Sequence, residues 1–582
     1  MIDILTRNPL VRFLKRFNGQ VTALLSQAFN RGDTGALTIK AFMAALLIGL
    51  GLLFSGSLLT YRDSVRALSS PGAVPDLNEL PSIAPMIFQG VGVFLSLVAF
   101  LVSLWLKKDT EINQRKGLVV LALSLAALAS LSVWLPTDIV DTVSAISGKA
   151  LAGETPSIPA YFGKLFLISL LILSIPVASL LYFRLRLMDR YVLNSFLSPF
   201  MFCLFSFISI WLIADFTDNG PAFTGLPLDR LLTFYVVQIP FVILFVMPVA
   251  VLFSALHALG RLSKSNELIS MIGAGRSVIR ILLPLLVVGG YASFIALAFK
   301  YQWAPLSVGY KEAILHSALV ESSAKQSGQV IQEDIWARLG WMHVNQPDRR
   351  TWFVGQVPLK LSDEMGNVVV MQLDPQDQVT MMWVAKRAKW VWNASPSRWI
   401  LSGVRVYTYD KEHIPRIKTI DRLEVVDWSE TPWRVLSSSQ NPEYLGIPGL
   451  TMYLNANSNF DDRALASFRT NWWYVFAEPL ACLTLLLVAA PLGIVYSRRG
   501  AMGGVTGAIV IFAFMYIMRG TFLAMGHSNR LPPFFAAFLT NIVVAIIGLI
   551  LLWFRAQNRE IPKMKALLLA PLRLVGKLRT AV

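Results

Sequence analysis

The stretch of sequence that decides the fold runs from residue 236 to 275 and reads VVQIPFVILFVMPVAVLFSALHALGRLSKSNELISMIGAG. Its first part is apolar over a length that crosses a bilayer, because a helix needs about 20 residues to span about 30 Å of hydrocarbon. Its second part is short and polar, and another apolar run follows at once. We therefore predict a membrane span at 233–257, a tight helical hairpin, and a return span at 279–299.

The same alternation extends through the chain of 582 residues. The composition is 55% hydrophobic and only 15% charged, whereas soluble domains carry about 25% charged residues. A polytopic α-helical membrane protein of about ten spans is therefore predicted. The other eight spans are predicted at 37–60, 86–106, 117–135, 161–183, 194–215, 473–496, 503–523 and 533–554.

Basic residues determine the predicted orientation. The formal net charge of +17 would suggest nucleic acid in a soluble protein, but here Lys and Arg lie beside the spans, as in cytoplasmic loops. We therefore predict no nucleic-acid partner and two cytoplasmic termini. The long polar stretch 301–472 then lies outside, in the periplasm of a cell with two membranes.

The outer stretch is predicted to be a β domain. In RWILSGVRVYTYD (398–410), residues Val404, Val406 and Thr408 share one face of a strand. Further strands are predicted in GQVIQEDIWARLGWMHV, TWFVGQVPLKL, NVVVMQL, AKWVWNA and RIKTIDRLEVV. Turn signals such as QPDRR and LDPQDQ separate them. Many short strands with regular turns favour a sandwich or a jelly roll.

The polar hairpin at 258–284 is the most informative segment for mechanism. Ser265 is predicted to cap a short helix, which places Glu267 in its first turn, where a carboxylate suits the helix dipole. Leu268, Met271 and Ile272 would form one apolar face, and Gly273 and Gly275 would end the helix. Two interpretations stay open: the helix inserts into a groove of a soluble partner, or it lies on the lipid surface.

Ionisable residues in or near the bilayer are candidates for function by default. Arg519 lies in the outer part of the ninth span, Lys300 ends the seventh, and Arg230 precedes the sixth. These cations could pair with phosphates of an anionic glycolipid or extend to the interface. For Glu478, before Pro479, a salt bridge to a neighbouring helix ranks ahead of proton relay or an interfacial position. Asp215 and Asp218, at the end of the fifth span, are expected to be interfacial and exposed.

Motifs for catalysis and metal binding are missing from the sequence. No G-x-x-x-x-G-K-[ST] loop occurs, so any ATP hydrolysis must come from another chain. No CxxC, GxSxG or HExxH pattern is found, and the two cysteines, Cys203 and Cys482, lie in apolar runs. We therefore expect no catalytic residue, no metal and no cofactor. An intramembrane enzyme is the least favoured class.

Four motifs in order resemble the LptF/LptG (YjgP/YjgQ) permease family. They are MDRYVLNSFLSPF (188–200), the opening stretch 236–275, APLGIVYSRRGAMGGVTGAI (490–509) and LPPFFAAFLTNIVVAIIGLILL (531–552). The layout of three spans, an outer β domain and three spans also agrees. The resemblance covers about 188–555 and identifies the chain as a member of that family in a bacterial inner membrane.

The resemblance implies a division of the chain into five parts. Residues 1–187 form an extension of about four spans, which departs from the family pattern. Residues 188–300 hold the first three permease spans with a coupling helix at 262–275, and 301–472 form a periplasmic β-jellyroll-like domain. Residues 473–555 hold the last three spans, and 556–582 form a basic cytoplasmic tail.

The resemblance also implies function and partners. Such a permease pairs with a second LptF/LptG-like subunit, and a cytosolic LptB-like ATPase binds the coupling helices. Lipopolysaccharide then passes from the membrane to LptC/LptA-like periplasmic proteins. Glu267 matches the residue that contacts the ATPase, with Arg261, Gly273 and Gly275 shaping the helix.

Two other classes of function stay open. An ion-coupled secondary transporter would need ionisable residues at the bilayer midplane and broken helices, and the sequence has few such residues. A membrane scaffold or sensor with an outer β domain would not need the short hairpin or the second trio of spans.

Overall fold

The computed structural model describes most of the chain. The described residues are 34–68, 83–106, 112–151, 156–223, 228–311, 314–315, 336–358, 364–391, 398–409, 415–437, 441–494 and 501–557. They form two compact units, residues 1–145 with 165–186, and residues 146–164 with 187–582. The predicted basic tail 556–582 lies almost wholly outside the described residues.

Ten of the described helices are long and apolar enough to cross a membrane, which confirms the predicted number. Four precede residue 187: α1 (Thr34–Leu68), α2 (Ile83–Leu104), α3 (Ile112–Leu151) and α4 (Ile158–Arg184). Three follow: α5 (Leu187–Phe223), α6 (Leu228–Lys264) and, after the short helix α7 (Glu267–Gly273), α8 (Val278–Tyr301).

Further helices follow the sheet along the chain. Two short ones, α9 (Pro432–Ser437) and α10 (Gly446–Ala456), come first. The eighth span consists of α11 (Asp462–Ala477), a 3₁₀ turn at Glu478–Leu480, and α12 (Ala481–Gly493). The last two spans are α13 (Ala501–His527) and α14 (Pro533–Ala556).

Small residues bring the helices of each unit together. In the first unit, a Cβ on Gly92 would lie 2.4 Å from Val133 Cγ2. Helices α2 and α3 are therefore closer at this point than a residue with a side chain would allow. In the second unit, a Cβ on Gly289 would lie 2.5 Å from Leu486 Cδ2. Lipid tails are as apolar as leucine, so close packing at small residues, rather than apolar burial, holds membrane helices together.

The strands form one antiparallel sheet in the order β1 to β6. They are β1 (Trp336–Asn345), β2 (Arg350–Pro358), β3 (Met365–Leu373), β4 (Val379–Val391), β5 (Arg398–Tyr409) and β6 (Pro415–Val425). A helical membrane protein with a β domain is thus confirmed. Each described strand pairs with the next one along the chain, so the order is a meander, without the crossovers of a jelly roll among the described strands.

Tryptophans fill the core of the sheet. Trp352 and Trp399 are fully buried with ring centroids 5.0 Å apart, and Trp428 packs against Trp352 at 5.1 Å. Strand β4 begins at Val379, well before the predicted segment AKWVWNA. The intervening sequence MMWVAKR alternates only weakly between apolar and polar residues. It is nevertheless a strand, because β3 and β5 pair with it on its two sides.

Much of the segment 432–477 is helical, whereas the sequence analysis predicted a β domain up to residue 472. Helix α10 buries Ile447, Leu450 and Met452, and Tyr453 stacks on Phe468 of α11 with ring centroids 3.8 Å apart. This helical connector joins the sheet to the eighth span, which begins at Asp462 rather than near residue 473.

Candidate functional sites: a helical hairpin and a charged cluster

Helix α7 begins differently from the prediction. The N-cap position belongs to Asn266, whose φ of 61° is left-handed and whose side chain makes no capping bond. The hydroxyl of Ser265 instead donates to the Arg261 carbonyl at 3.0 Å, in the last turn of α6. The prediction that Ser265 caps α7 is therefore wrong. Serine hydroxyls often bond to the backbone carbonyl four residues earlier, and Ser265 does so in the last turn of α6.

The apolar face of α7 is packed against the rest of its own unit. Leu268 and Met271 are buried and Ile272 is partly buried, in one cluster with Leu262 of α6 and Val278 of α8. The predicted face exists, but its apolar side chains are already covered. A partner that contacts this helix therefore meets its other side, where Ser270 and Ile269 are exposed.

Helix α7 ends in a Schellman motif. The Arg276 N–H bonds to the Met271 carbonyl at 3.3 Å, and the Gly275 N–H bonds to the Ile272 carbonyl at 2.9 Å. Gly275 has a φ of +86°, which side chains rarely adopt, whereas Gly273 is the last helical residue. Of the two predicted glycines, Gly275 supplies the turn and Gly273 belongs to the helix.

Two side chains of α5 hold the two ends of this hairpin. The Tyr191 hydroxyl donates to Glu267 Oε2 at 2.5 Å, and Arg276 forms an ion pair with Asp189 at 2.7 Å. The hydrogen bond from Tyr191 lowers the pKa of Glu267 below its usual value, so this carboxylate is ionised at neutral pH. Arg261, at the end of α6, is exposed near the same carboxylate.

Sequence reasoning did not identify Asp189 or Tyr191 as site residues. Both lie in the quoted motif MDRYVLNSFLSPF, but 76 residues separate Tyr191 from Glu267. A pairing over that distance has no periodic signal in a single sequence. The one available hint was that charged and hydroxyl-bearing residues in that motif lie at the same membrane side as the hairpin.

The two glycines permit a matched prediction. Gly275→Ala should destabilise the end of α7 by about 1 kcal/mol, because a Cβ is strained at positive φ. Gly273→Ala should be neutral or stabilising, because alanine favours a helix and no atom obstructs the added Cβ. Amide hydrogen exchange over 267–276 checks both: about fivefold faster exchange is expected in the first variant only. Equal rates in the two variants would contradict the assignment.

The second candidate site is a charged cluster within the spans. Glu478, on the 3₁₀ turn between α11 and α12, forms ion pairs with Lys300 of α8 and Arg519 of α13, each at 2.6 Å. The salt bridge that ranked first for Glu478 is thus present. It joins three of the four ionisable residues that the sequence analysis named as candidates, namely Glu478, Lys300 and Arg519. The Arg519 contact is also a hydrogen bond to Oε1.

Tyrosine rings support the same cluster. The Tyr474 ring centroid lies 5.3 Å from Lys300 Nζ and 4.8 Å from the Arg519 guanidinium, and Tyr516 lies 5.6 Å from that guanidinium. Cations are attracted to the face of such rings. Tyr474 is only 6% exposed, and its hydroxyl has no hydrogen-bond partner among the described residues.

The other charged candidates lie elsewhere. Arg230 is in the first turn of α6, but its side chain lies outside the described part of the chain. Asp218 is exposed, as expected, whereas Asp215 is only 7% exposed and pairs with Lys311. The expectation of an exposed Asp215 was wrong because Lys311, which follows α8, replaces its solvation, with its ammonium 5.3 Å from the Trp211 ring centroid.

Metal binding has no support in the described part of the chain. Those residues contain no group of three or more His, Cys, Asp or Glu side chains that could hold an ion. Cys203 and Cys482 are free thiols.

The fold defines a multi-pass membrane protein with a sheet inserted between two trios of helices. The sequence model of the family described as "Lipopolysaccharide export system permease LptF/LptG" matches residues 190–554. The chain therefore belongs to the LptF/LptG family. Helices α1 to α4 precede the matched range.

Two relatives agree with this assignment. The chain is 24% identical over 401 residues to a lipopolysaccharide export system permease protein LptG of Haemophilus influenzae, covering 64% of this chain and 99% of the relative. It is 22% identical over 377 residues to the LptG protein of Escherichia coli K12, covering 63% of this chain and 97% of the relative. This similarity and the ten spans make the chain a multi-pass inner-membrane protein.

Proposed function

We propose that this chain is one permease subunit of an ABC transporter that extracts lipopolysaccharide, or a related glycolipid, from the inner membrane. The carrying observation is the family match over 190–554, which runs through both helical trios and the sheet. The lipid passes to a periplasmic bridge of LptC/LptA-like proteins. A second LptF/LptG-like subunit completes the pathway, and a separate LptB-like ATPase supplies the energy.

The proposed orientation follows from the basic loops. Both termini and the α7 hairpin face the cytoplasm, and the sheet lies in the periplasm. Lys300 and Arg519 then lie toward the periplasmic half of the membrane, because α8 ends at Tyr301 beside the connection to the sheet. This arrangement places the ATPase contact and the lipid-facing charges at opposite ends of the same helices.

Energy is required because each CH₂ group exposed to water costs about 0.8 kcal/mol. The acyl chains of one lipid therefore need a sheltered path from the bilayer to the β domain. The apolar residues of the sheet core, such as Trp352, are already buried against one another. The path must therefore open by movement of parts of the protein relative to one another.

The α7 hairpin transmits the movement in this proposal. Glu267 meets the ATPase, while the opposite side of α7, with Leu268 and Met271, is packed on the core. The Tyr191–Glu267 and Asp189–Arg276 contacts link both ends of the hairpin to α5. A push on α7 is thus passed to α5, α6 and α8 together rather than absorbed in a loose loop.

The test is affinity purification of the full chain from native membranes in mild detergent, with mass spectrometry of proteins and lipids. Wild type should bring down a P-loop ATPase, a second permease and a phosphorylated glycolipid. Glu267→Lys should lose the ATPase, at least tenfold, because the reversed charge repels the basic groups that bind a carboxylate. It should keep the second permease, because the substitution changes one side chain of the short helix α7 and leaves the membrane spans intact.

Two control variants sharpen this test. Glu424→Lys reverses an exposed charge on β6 and should keep the ATPase. Tyr191→Phe removes the hydroxyl bond but leaves the Glu267 charge, so it should keep the ATPase and reduce lipid-stimulated ATP hydrolysis. If wild type brings down no ATPase in several detergents, the transporter proposal fails and a scaffold role becomes the better explanation.

A further inference from the structure

The charged cluster carries an excess of positive charge. A single carboxylate, Glu478, pairs with two cations, Lys300 and Arg519, so the three side chains sum to one positive charge. Glu443 also attracts Arg519, but it is exposed and lies on another element, just before α10. A surplus cation within a membrane-spanning bundle is costly unless an anion or a polar cavity compensates it.

The cluster is accessible on the side of Arg519. The Arg519 side chain is 29% exposed, although it lies eight residues, about 12 Å, before the end of α13 at His527. Lys300 and Glu478 are less exposed, at 14% and 15%. A guanidinium that is open at this depth meets a partner other than hydrocarbon.

The donors of the cluster suit a phosphate better than a carboxylate. The Arg519 guanidinium presents a planar fork and Lys300 presents a point charge. The buried Tyr474 hydroxyl still lacks a partner in the part of the chain that the structure describes. Glu478 uses one oxygen for each cation and leaves Tyr474 unsatisfied. A phosphate group has more acceptor oxygens and binds arginine in the bidentate mode.

We propose that Glu478 is an internal counter-anion, which competes with the phosphate groups of the glycolipid for Lys300 and Arg519. Without lipid, Glu478 neutralises one of the two positive charges that the cluster brings into the membrane. When lipid arrives, its phosphate takes over the two cations and the Tyr474 hydroxyl. The carboxylate then promotes release, because it regains the cations as the lipid moves on.

This inference rests on the proposed function and adds a residue that sets affinity and release. Its position favours the exchange: Glu478 begins a 3₁₀ turn with Pro479, where the helix from Asp462 to Gly493 is interrupted. The carboxylate is therefore attached to a break between two helices rather than to the middle of one.

The experiment measures lipid binding by the full chain in nanodiscs of neutral phospholipid. The probes are lipid A with two phosphates and the same lipid after enzymatic removal of both. Glu478→Gln should bind the phosphorylated probe about tenfold more tightly, with slower release, because the competing charge is gone. Binding of the dephosphorylated probe should not change. Glu424→Gln is the control, because it neutralises an exposed carboxylate on β6 that pairs with Arg398 and Arg422 rather than with the cluster, and it should leave both affinities within about twofold.

Further variants and a competitor complete the design. Lys300→Gln and Arg519→Gln should each weaken binding of the phosphorylated probe, by about tenfold. Glu478→Asp, which keeps the charge, should stay close to wild type and serves if the glutamine variant does not fold. Inorganic phosphate at millimolar concentration serves as a competitor. If the cluster accepts free phosphate, it should displace the phosphorylated lipid more from Glu478→Gln than from wild type. If it displaces the lipid from neither protein, the site is specific for the lipid headgroup.

The outcomes separate the two proposals. If wild type binds neither probe, the proposed function is overturned. If wild type binds both probes equally, or if Glu478→Gln binds the phosphorylated probe no more tightly than wild type does, the counter-anion inference alone is overturned.

Discussion

Replacing Glu430 with alanine should lower the free energy of unfolding of the β domain by about 3–5 kcal/mol. Glu430 is fully buried, and its Oε2 lies 2.5 Å from Arg350 Nη1. Its Oε1 accepts a bond from Asn345 Nδ2 at 2.8 Å. Among the described residues, alanine would leave the largely buried Arg350 guanidinium with one acidic neighbour, Asp348, at 3.8 Å.

The measurement is chemical denaturation of the full chain in detergent, followed by tryptophan fluorescence. Trp399 is a sensitive reporter, because its indole N–H donates to the Glu430 carbonyl at 2.7 Å. Two controls isolate the unpaired charge. Arg350→Met with Glu430→Leu removes both partners and should be nearly neutral. Glu424→Ala breaks exposed pairs and should cost less than about 1 kcal/mol.

A result near zero for Glu430→Ala would show that Asp348 or water replaces the carboxylate. In that case the buried pair would not hold the segment after β6 to the β1–β2 hairpin. A large loss of unfolding free energy in the double variant would show that the packing of these side chains, rather than their charges, stabilises the domain.

Replacing Arg555 with alanine should cost about 3 kcal/mol in the stability of the second trio of helices. The buried guanidinium donates from Nε to the Pro491 carbonyl at 3.0 Å and from Nη2 to the Ile494 carbonyl at 2.5 Å. The last carbonyls of a helix have no partner inside that helix. Arg555, at the end of α14, therefore satisfies the end of α12.

Thermal unfolding and amide exchange in detergent check this prediction. Arg555→Lys keeps the charge but not the fork, so an intermediate loss is expected. Gln557→Ala alters an exposed residue at the same helix end and should change little. If Arg555→Ala and Gln557→Ala behave alike, the guanidinium does not stabilise the end of α12.

The Arg555 contact also bears on the proposed mechanism. A Cβ on Gly493, beside Ile494, would lie 3.0 Å from Leu259 Cβ in α6. Leu259 lies in the same apolar cluster as Leu268 of α7. A loosened α12 end should therefore reduce ATPase stimulation as well as stability, and the purified complex permits both measurements on one sample.

The sequence alone determined the ten spans and the position of most strands. Both depend on local pattern: an apolar run of about 20 residues fixes a span wherever it occurs, and β-branched and aromatic runs between turn residues favour strands. The hairpin at 262–275 could be predicted for the same reason, because a short polar segment separates two apolar runs. The family followed from motifs in their order along the chain.

Only the tertiary structure decided which distant side chains meet. Tyr191 with Glu267, Asp215 with Lys311, and Glu478 with Lys300 and Arg519 join helices far apart in sequence. A single sequence carries no signal for these pairings, because only the packing of the helices brings the partner side chains together. The sequence also could not show that the apolar face of α7 is buried against α6 and α8. Periodicity predicts that a helix has an apolar face, but it does not identify the residues that cover this face.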